Sequence, residues 1–209
     1  MTRKFFMAGG WLAAFVLWTL VICTVDVQAI GPGSSIVGLA TLNGWFHHLT
    51  GVQMPLYTIT DWLGLVPIGI CMGFAVLGLC QWIKRKRMLN VDFSILALGV
   101  FYLIVMAAYL FFESVVINYR PVLIDGSLEA SYPSSTTLLT LCVMPTAAMQ
   151  WKKRIRNRAL RNGVSMLNIA FTAFMVIGRL LSGVHWLTDI IGGMLLSTGL
   201  VRLYEVAND

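Results

Sequence analysis

The stretch that decides the fold is VSMLNIAFTAFMVIGRLLSGVHWLTDIIGGMLLSTGLVRL, residues 164–203, in which two apolar runs nearly touch. These runs are Val164–Leu181 and Trp186–Leu203. A helix that crosses a membrane needs about 20 mainly apolar residues, so each run predicts one crossing. Only the short segment 182–185 separates the runs, and Gly183 within it permits a turn between two neighbouring helices.

The rest of the chain has the same apolar character. Hydrophobic residues make up 58% of the sequence and charged residues 11%, whereas a soluble domain is about 25% charged. This composition excludes a soluble globular protein and a disordered chain. We therefore predict an all-α fold, a single domain over residues 1–209, with six transmembrane helices in a bundle. The four further spans are Phe5–Val25, Tyr57–Trp82, Phe93–Phe112 and Thr136–Gln150.

Two segments of the N-terminal part allow other interpretations. Residues 34–51, SSIVGLATLNGWFHHLTG, mix apolar and polar residues and predict a helix that lies in the membrane interface. The first span, with Arg3 and Lys4 before it and Val27-Gln28-Ala29 after it, resembles a signal peptide with its cleavage site. Its apolar core of about 20 residues is longer than that of most signal peptides, which favours an anchor that is not cleaved.

The basic residues predict the orientation in the membrane. If six spans alternate, thirteen of the fifteen Lys and Arg residues lie on one side, and the positive-inside rule makes that side the cytoplasm. Both termini are then cytoplasmic, and we expect the bacterial cytoplasmic membrane as the location. We interpret the clusters as topology signals that contact anionic lipids, with no role in nucleic-acid binding. The thirteen are Arg3, Lys4, Lys84, Arg85, Lys86, Arg87, Lys152, Lys153, Arg154, Arg156, Arg158, Arg161 and Arg202.

Arg120 and Arg179 are the two basic residues left on the outer side. An arginine at a membrane edge is costly unless it has an anionic partner. Their surroundings contain three polar segments: ESVVINYRPVLIDG at 113–126, SYPSSTT at 131–137 and GRLLSGVHWLTDIIGG at 178–193. A guanidinium is a planar fork of donors that matches phosphate oxygens. The two arginines therefore predict an anion site at the outer edge of the bundle.

The same segments supply further groups for phosphate chemistry. Ser134, Ser135 and Thr136 add hydroxyl and backbone donors where the fourth span begins, and a helix N-terminus favours anions. His185 and Asp189 are four residues apart, on one face of a helix. Asp189 can accept the Nδ1 proton of His185 and leave Nε2 as a nucleophile or base. The sequence therefore predicts a phosphate pocket with an activated histidine at the level of the lipid headgroups.

The order and spacing of these residues resemble the type 2 phosphatidic acid phosphatases, which are related to the vanadium haloperoxidases. Arg120-Pro121, Pro133-Ser134 and Arg179-x5-His185-x3-Asp189 match parts of the three motifs of that family, and the six-span layout matches across most of the chain. The resemblance implies that His185 is the nucleophile that becomes phosphohistidine and that Asp189 orients it. It also implies that Arg120, Ser134 and Arg179 hold the phosphoryl oxygens.

The sequence departs from the family pattern at four positions. The family has a lysine seven residues before Arg-Pro, and that position is Glu113 here. The glycine and histidine that follow Pro-Ser in its second motif are Ser135 and Thr136, and Gly178 replaces the serine before Arg179. In the family that histidine protonates the leaving oxygen, and general acid catalysis typically contributes about 10²–10⁴-fold. A threonine hydroxyl is too weak an acid to replace it. Glu113 would repel a phosphate unless it is paired, for example with Arg120.

These departures leave three outcomes open. In the first, the leaving group needs no acid, as when a diphosphate expels phosphate. In the second, another residue supplies the acid. In the third, the site binds phosphate without hydrolysing it. Candidates for another acid are His47, His48, Glu113 and Glu129, although His47 and His48 are first interpreted as interfacial residues. Asp26 and Asp61 are interpreted as span boundaries or caps.

We therefore expect a membrane lipid phosphatase that acts from the outer face through a phosphohistidine. Its substrate would be a lipid phosphate or diphosphate, similar to phosphatidic acid or to a polyprenyl diphosphate such as undecaprenyl diphosphate. The alternatives are a lipid phosphotransferase and a non-catalytic lipid-phosphate binder or translocator. The expected partners are the lipid phosphate substrate and membrane lipids. No cofactor is implied, and the spacing of the cysteines suggests neither a disulfide framework nor a zinc site.

Overall fold

The computed structural model describes residues 2–208 and confirms the all-α fold, with no β-strand in that range. Its eight α-helices occur in the order α1 to α8. They are α1 Thr2–Thr24, α2 Ala40–Thr50, α3 Met54–Leu63, α4 Leu65–Arg85, α5 Phe93–Ser114, α6 Ser135–Arg154, α7 Arg158–Leu181 and α8 Leu187–Ala207.

Five helical stretches in residues 2–208 are long and apolar enough to cross a membrane: α1, α3 with α4, α5, α7 and α8. The chain is therefore an integral membrane protein. Six transmembrane helices are not confirmed, because α6 is long enough but too polar to be counted with the others. The physical reason lies in its position. It packs against α4, α5, α7 and α8, and a helix surrounded by protein does not need an apolar surface.

The buried face of α6 carries polar side chains along its length. Thr137, Thr140, Thr146 and Gln150 are each at most 1% exposed. Gln150 donates from Nε2 to the hydroxyl of Tyr204 on α8 at 2.5 Å and to the carbonyl oxygen of Ser94 on α5. A buried polar group stabilises a fold only when its hydrogen bonds are made. Gln150 therefore ties three helices together at the end of α6 that is far from Ser135.

The predicted span Tyr57–Trp82 is two helices in the structure. α3 and α4 meet at Gly64, and α3 begins three residues earlier than predicted. α3 packs against α7, and this contact places the polar residues of α3 beside Arg179. Within the predicted interfacial stretch 34–51, only residues 40–50 form the helix α2; its place in the membrane interface stays a prediction.

Asn43 fastens α2 to the start of α8. Its side chain is fully buried, and Nδ2 donates to the carbonyl oxygen of Gly38 at 2.8 Å and to Oγ1 of Thr188 at 2.9 Å. Its Oδ1 accepts from the backbone N–H of Thr188 at 3.2 Å. Asn43 thereby satisfies an N–H in the first turn of α8 that has no partner within the helix.

Asn43→Ala should lower the thermal midpoint of the detergent-solubilised protein. The change leaves the first turn of α8 without this acceptor, and an unsatisfied buried group costs about 1–3 kcal/mol. Scanning fluorimetry measures the shift. Asn162→Ala is the matched control, because Asn162 is exposed on α7, and its midpoint should stay at the wild-type value. Equal midpoints for the two variants would contradict the anchoring role of Asn43.

Candidate active site

Several helix ends and loops meet at one end of the bundle. The backbone N–H of Ser134, just before α6, donates to the carbonyl oxygen of Asp189 in the first turn of α8 at 3.1 Å. The ring of Tyr132 lies against Gly192, where an added Cβ would come within 2.4 Å of it. Gly183 has a φ of 68° and lies directly against the carbonyl of Gly51. These contacts join the predicted segments 131–137 and 178–193, and the backbone N–H of Ser131, which donates to the carbonyl oxygen of Asn118 at 2.9 Å, joins segment 113–126 to them.

His185 and Asp189 are linked through a third residue, Ser131. The Oγ of Ser131 lies 3.0 Å from Nδ1 of His185 and 2.5 Å from Oδ2 of Asp189. The direct distance from Nδ1 of His185 to Oδ2 of Asp189 is 3.9 Å, which is too long for a hydrogen bond. The predicted direct bond between His185 and Asp189 is therefore wrong, because the Ser131 hydroxyl lies between them.

Asp189 is completely buried and accepts three hydrogen bonds. Besides Ser131, Nδ2 of Asn118 donates to Oδ1 at 3.2 Å and the backbone N–H of Trp186 donates to Oδ2 at 2.9 Å. Asp189 is the third residue of α8, so its carboxylate also lies at the positive end of the helix dipole. These donors offset the cost of burying a charge, and they hold Asp189 in one orientation.

Arg179 is buried at the end of α7, where it faces α3. Its Nη2 lies 3.2 Å from Oδ1 of Asp61, and its Nη1 lies 3.4 Å from Oγ1 of Thr60. Its Cζ is 4.8 Å from the centroid of the Tyr57 ring, which places a cation over an aromatic face. Asp61 is therefore an ion-pair partner of Arg179, and its interpretation as a span boundary or cap misses this contact.

Arg120 reaches the same aromatic ring from the segment between α5 and α6. Its Cζ lies 5.9 Å from the centroid of Tyr57, and its Nε lies 3.0 Å from Oε2 of Glu129. Its partner is therefore Glu129, and the pairing with Glu113 suggested by the sequence does not occur. Both outer arginines have a carboxylate partner, which is the local explanation that their position required.

The two arginines also act on His185. Burial holds the pKa of His185 well below its usual value, and the positive charges of Arg120 and Arg179 lower this pKa further. A neutral imidazole has one nitrogen that carries a proton and one with a free lone pair. His185 is therefore neutral at pH 7 and can act as a nucleophile.

Polar atoms without a hydrogen-bond partner are concentrated at this site. Residues 2–208 contain eight buried side-chain nitrogen or oxygen atoms of this kind, and five of them belong to Arg120, Ser134, Arg179 and His185. Arg120 Nε, one of the five, already lies in the ion pair with Glu129, which leaves Arg120 Nη1, Ser134 Oγ, Arg179 Nε and His185 Nε2. Buried polar atoms are normally satisfied, and each exception needs an explanation. Guanidinium N–H groups, a hydroxyl and an imidazole nitrogen are the kinds of group that surround a phosphoryl group during nucleophilic attack.

The remaining predicted residues lie nearby but are less enclosed. Ser135 and Thr136 are half-buried in the first turn of α6, and Glu113 is exposed at the end of α5. His47 lies 3.2 Å from the carbonyl oxygen of Gly183 and packs on the Trp186 ring. The residues that sequence reasoning missed are Ser131 and Asn118. Both lie inside segments quoted for other residues, and neither has a spacing that indicates its contacts.

Among residues 2–208 no group of three or more His, Cys, Asp or Glu side chains is arranged to hold a metal ion. The charged groups at the site instead form pairs of one arginine with one carboxylate, or contact neutral side chains. The hydrogen-bond donors that the site presents to a ligand are the positively charged guanidinium groups of Arg120 and Arg179 and the neutral hydroxyl of Ser134.

Comparison with known proteins identifies the class of this chain. Residues 110–207 match the PAP2 superfamily and contain the Arg120-Pro121, Pro133-Ser134 and Arg179 to Asp189 motifs. The resemblance to the type 2 phosphatidic acid phosphatases is thereby confirmed, with the family match covering just under half of the chain. No curated protein matches the chain significantly.

The whole chain is also similar to a solved structure. It is described as the crystal structure of the first transmembrane PAP2 type phosphatidylglycerolphosphate phosphatase from Bacillus subtilis. The TM-score is 0.57 at 18% sequence identity, and the match covers 96% of this chain and 95% of that chain. The chain therefore has the fold of a PAP2-type membrane phosphatase.

Thermal stability should fall more steeply with acidification in the wild type than in His185→Gln. On unfolding, the imidazole regains its usual pKa of about 6.5, so below that pH the unfolded chain binds more protons than the folded chain. The free energy of unfolding therefore decreases as the pH falls from about 7.5 to about 5.5. Thermal midpoints across this range measure the slope. His48→Gln, which removes an exposed imidazole, should keep the wild-type slope, and an unchanged slope in His185→Gln would contradict a buried neutral His185.

Proposed function

We propose that this protein is a membrane lipid phosphatase in which His185 is the nucleophile. The observation that carries the proposal is that Arg120 Nη1, Ser134 Oγ, Arg179 Nε and Nε2 of His185 are all buried without a partner, with both arginines close enough to His185 to act on its pKa. A bound phosphoryl group would accept hydrogen bonds from the three donors through its oxygens while phosphorus faces the nitrogen. The PAP2 superfamily match over residues 110–207 supports the same chemistry.

The reaction proceeds in two displacements. The lone pair of His185 Nε2 attacks the terminal phosphorus, the bond from this phosphorus to the leaving oxygen breaks, and that oxygen, which is the lipid oxygen of a monophosphate or the bridging oxygen of a diphosphate, takes the electron pair. A water molecule then attacks the phosphohistidine, releases inorganic phosphate and returns Nε2 to its free form. Arg120, Arg179 and Ser134 hold the three non-reacting oxygens, where the transition state carries most of its charge.

Thr136 determines which leaving group suits the site. It occupies the position of the family's acidic histidine, in the half-buried first turn of α6. Without an acid there, an alkoxide is a poor leaving group, whereas a diphosphate expels a phosphate that needs no protonation. We therefore propose a polyprenyl diphosphate, such as undecaprenyl diphosphate, as a better substrate than phosphatidic acid.

The orientation of the membrane protein follows from its basic clusters. The basic residues 84–87 at the end of α4 and Lys152 to Arg154 at the end of α6 lie at the ends of their helices that are far from the site. By the positive-inside rule those ends face the cytoplasm. We therefore propose that the site opens on the outer face of the bacterial cytoplasmic membrane.

His185→Ala should abolish phosphate release from the purified protein. The assay uses a panel of lipid phosphates and diphosphates in detergent, and acid-labile phosphorylation of the protein is trapped with labelled substrate. Loss of the nucleophile removes both turnover and labelling, whereas His48→Ala, at an exposed position, keeps both. If the wild type binds these lipids but hydrolyses none of them, the protein is a binder and the proposed activity is wrong.

Thr136→His should raise hydrolysis of phosphatidic acid while changing hydrolysis of a polyprenyl diphosphate little. The new imidazole supplies the acid that an alkoxide leaving group needs, and general acids contribute about 10²–10⁴-fold at most. Phosphate release from the two substrates, compared as kcat/KM, measures the change. Thr136→Asn is the control, since it enlarges the side chain without adding an acid. A wild-type preference for the monoester would contradict the role assigned to Thr136.

A further inference from the structure

We propose that Ser131 is a positioning residue that holds His185 in one tautomer and connects it to Asp189. This inference rests on the proposed function of His185 as a nucleophile. Its observations are the two short contacts of the Ser131 hydroxyl, 3.0 Å to Nδ1 of His185 and 2.5 Å to Oδ2 of Asp189. Ser131 is 2% exposed, so water does not compete for these contacts.

The direction of the hydrogen bonds follows from the groups involved. Every other contact of the Asp189 carboxylate is with a donor, namely Asn118 Nδ2 and the backbone N–H of Trp186. An ionised carboxylate only accepts hydrogen bonds, so the Ser131 hydroxyl donates its single proton to Asp189. The Ser131 oxygen then has only lone pairs for His185, and Nδ1 of His185 must be the nitrogen that carries the proton.

This assignment leaves Nε2 of His185 without a proton, and Nε2 is the nitrogen that has no partner in the protein. When Nε2 attacks phosphorus, positive charge develops on the imidazole. The Nδ1–H of His185 stays on nitrogen and donates to the Ser131 oxygen, whose own proton is donated to Asp189, so the carboxylate stabilises this charge through the hydroxyl. Ser131 therefore does for His185 what a carboxylate does by direct contact in a serine-protease triad.

The backbone holds the Ser131 hydroxyl in place. The N–H of Ser131 donates to the carbonyl oxygen of Asn118 at 2.9 Å, and Asn118 itself donates to Asp189. Asn118 and Ser131 thus approach the carboxylate as a connected pair. A hydroxyl held in this way has lost its rotational freedom before the substrate arrives, which is the condition for a precise catalytic geometry.

Removal of the hydroxyl cannot be compensated by direct contact. In Ser131→Ala, Nδ1 of His185 and Oδ2 of Asp189 remain 3.9 Å apart, which exceeds hydrogen-bond distance. Loss of a group that orients a functional histidine typically costs about 10–100-fold. We expect kcat to fall by about this factor, with KM nearly unchanged because Ser131 does not contact the substrate.

Ser131→Thr is the conservative variant that should restore activity. It keeps the hydroxyl and adds a single methyl group, next to the small pocket that Ser131 lines with Glu113 and Ser135. Ser197→Ala is the matched control, since Ser197 is also buried and bonded but lies further along α8. Its kcat should equal that of the wild type.

Nitrogen-15 NMR of the three histidine side chains provides a readout that does not depend on turnover. His185→Gln assigns the His185 signals, and the expected spectrum shows a protonated Nδ1 and an unprotonated Nε2. In Ser131→Ala the Nδ1 proton should exchange faster and a second tautomer should appear, while Ser131→Thr should resemble the wild type.

Each outcome of these measurements decides the proposal. A wild-type His185 protonated on Nε2 overturns it, and so does a Ser131→Ala protein with the wild-type tautomer, whether kcat falls or not. If the tautomer changes as expected but no lipid phosphate is hydrolysed by the wild type, the positioning role of Ser131 stands and the proposed phosphatase activity is wrong.

Discussion

The structure of the site depends on one buried charge, the carboxylate of Asp189. Its three donors come from two parts of the chain: Asn118 and Ser131 in the segment between α5 and α6, and the backbone of Trp186 at the start of α8. A carboxylate in an apolar bundle is stable only when such donors surround it. The need to satisfy Asp189 therefore determines where the segment 115–134 lies, and with it the positions of Arg120 and Ser134.

The arginines show the same principle with the opposite sign of charge. Arg179 and Arg120 are buried, but Asp61 and Glu129, their carboxylate partners, keep 56% and 40% of their side-chain surface exposed. Each ion pair therefore keeps one partner in water, which lowers the cost of bringing a guanidinium into the bundle. Because the pairs use only part of each guanidinium fork, Arg120 Nη1 and Arg179 Nε remain available to a ligand.

Much of the fold was predictable, because apolar runs of membrane length have few alternatives. The bounds of α1 and α5 agree to within three residues with the runs Phe5–Val25 and Phe93–Phe112, since a helix in lipid is apolar along most of its length. α6 is the exception. It is buried against four other helices, so its composition is not constrained by lipid, and its polar residues such as Thr140 and Gln150 weaken the signal on which prediction depends.

The sequence by itself determined the helical class, the motif spacing and the residues proposed for phosphate chemistry, because these depend on local composition and on short separations such as that of His185 and Asp189. Only the tertiary structure decided that Ser131 stands between those two residues and that Asp61 and Glu129 pair with the arginines. Asp61 and Arg179, for example, are 118 positions apart. No periodicity joins them, because such contacts arise only when the packing of whole helices brings their ends together.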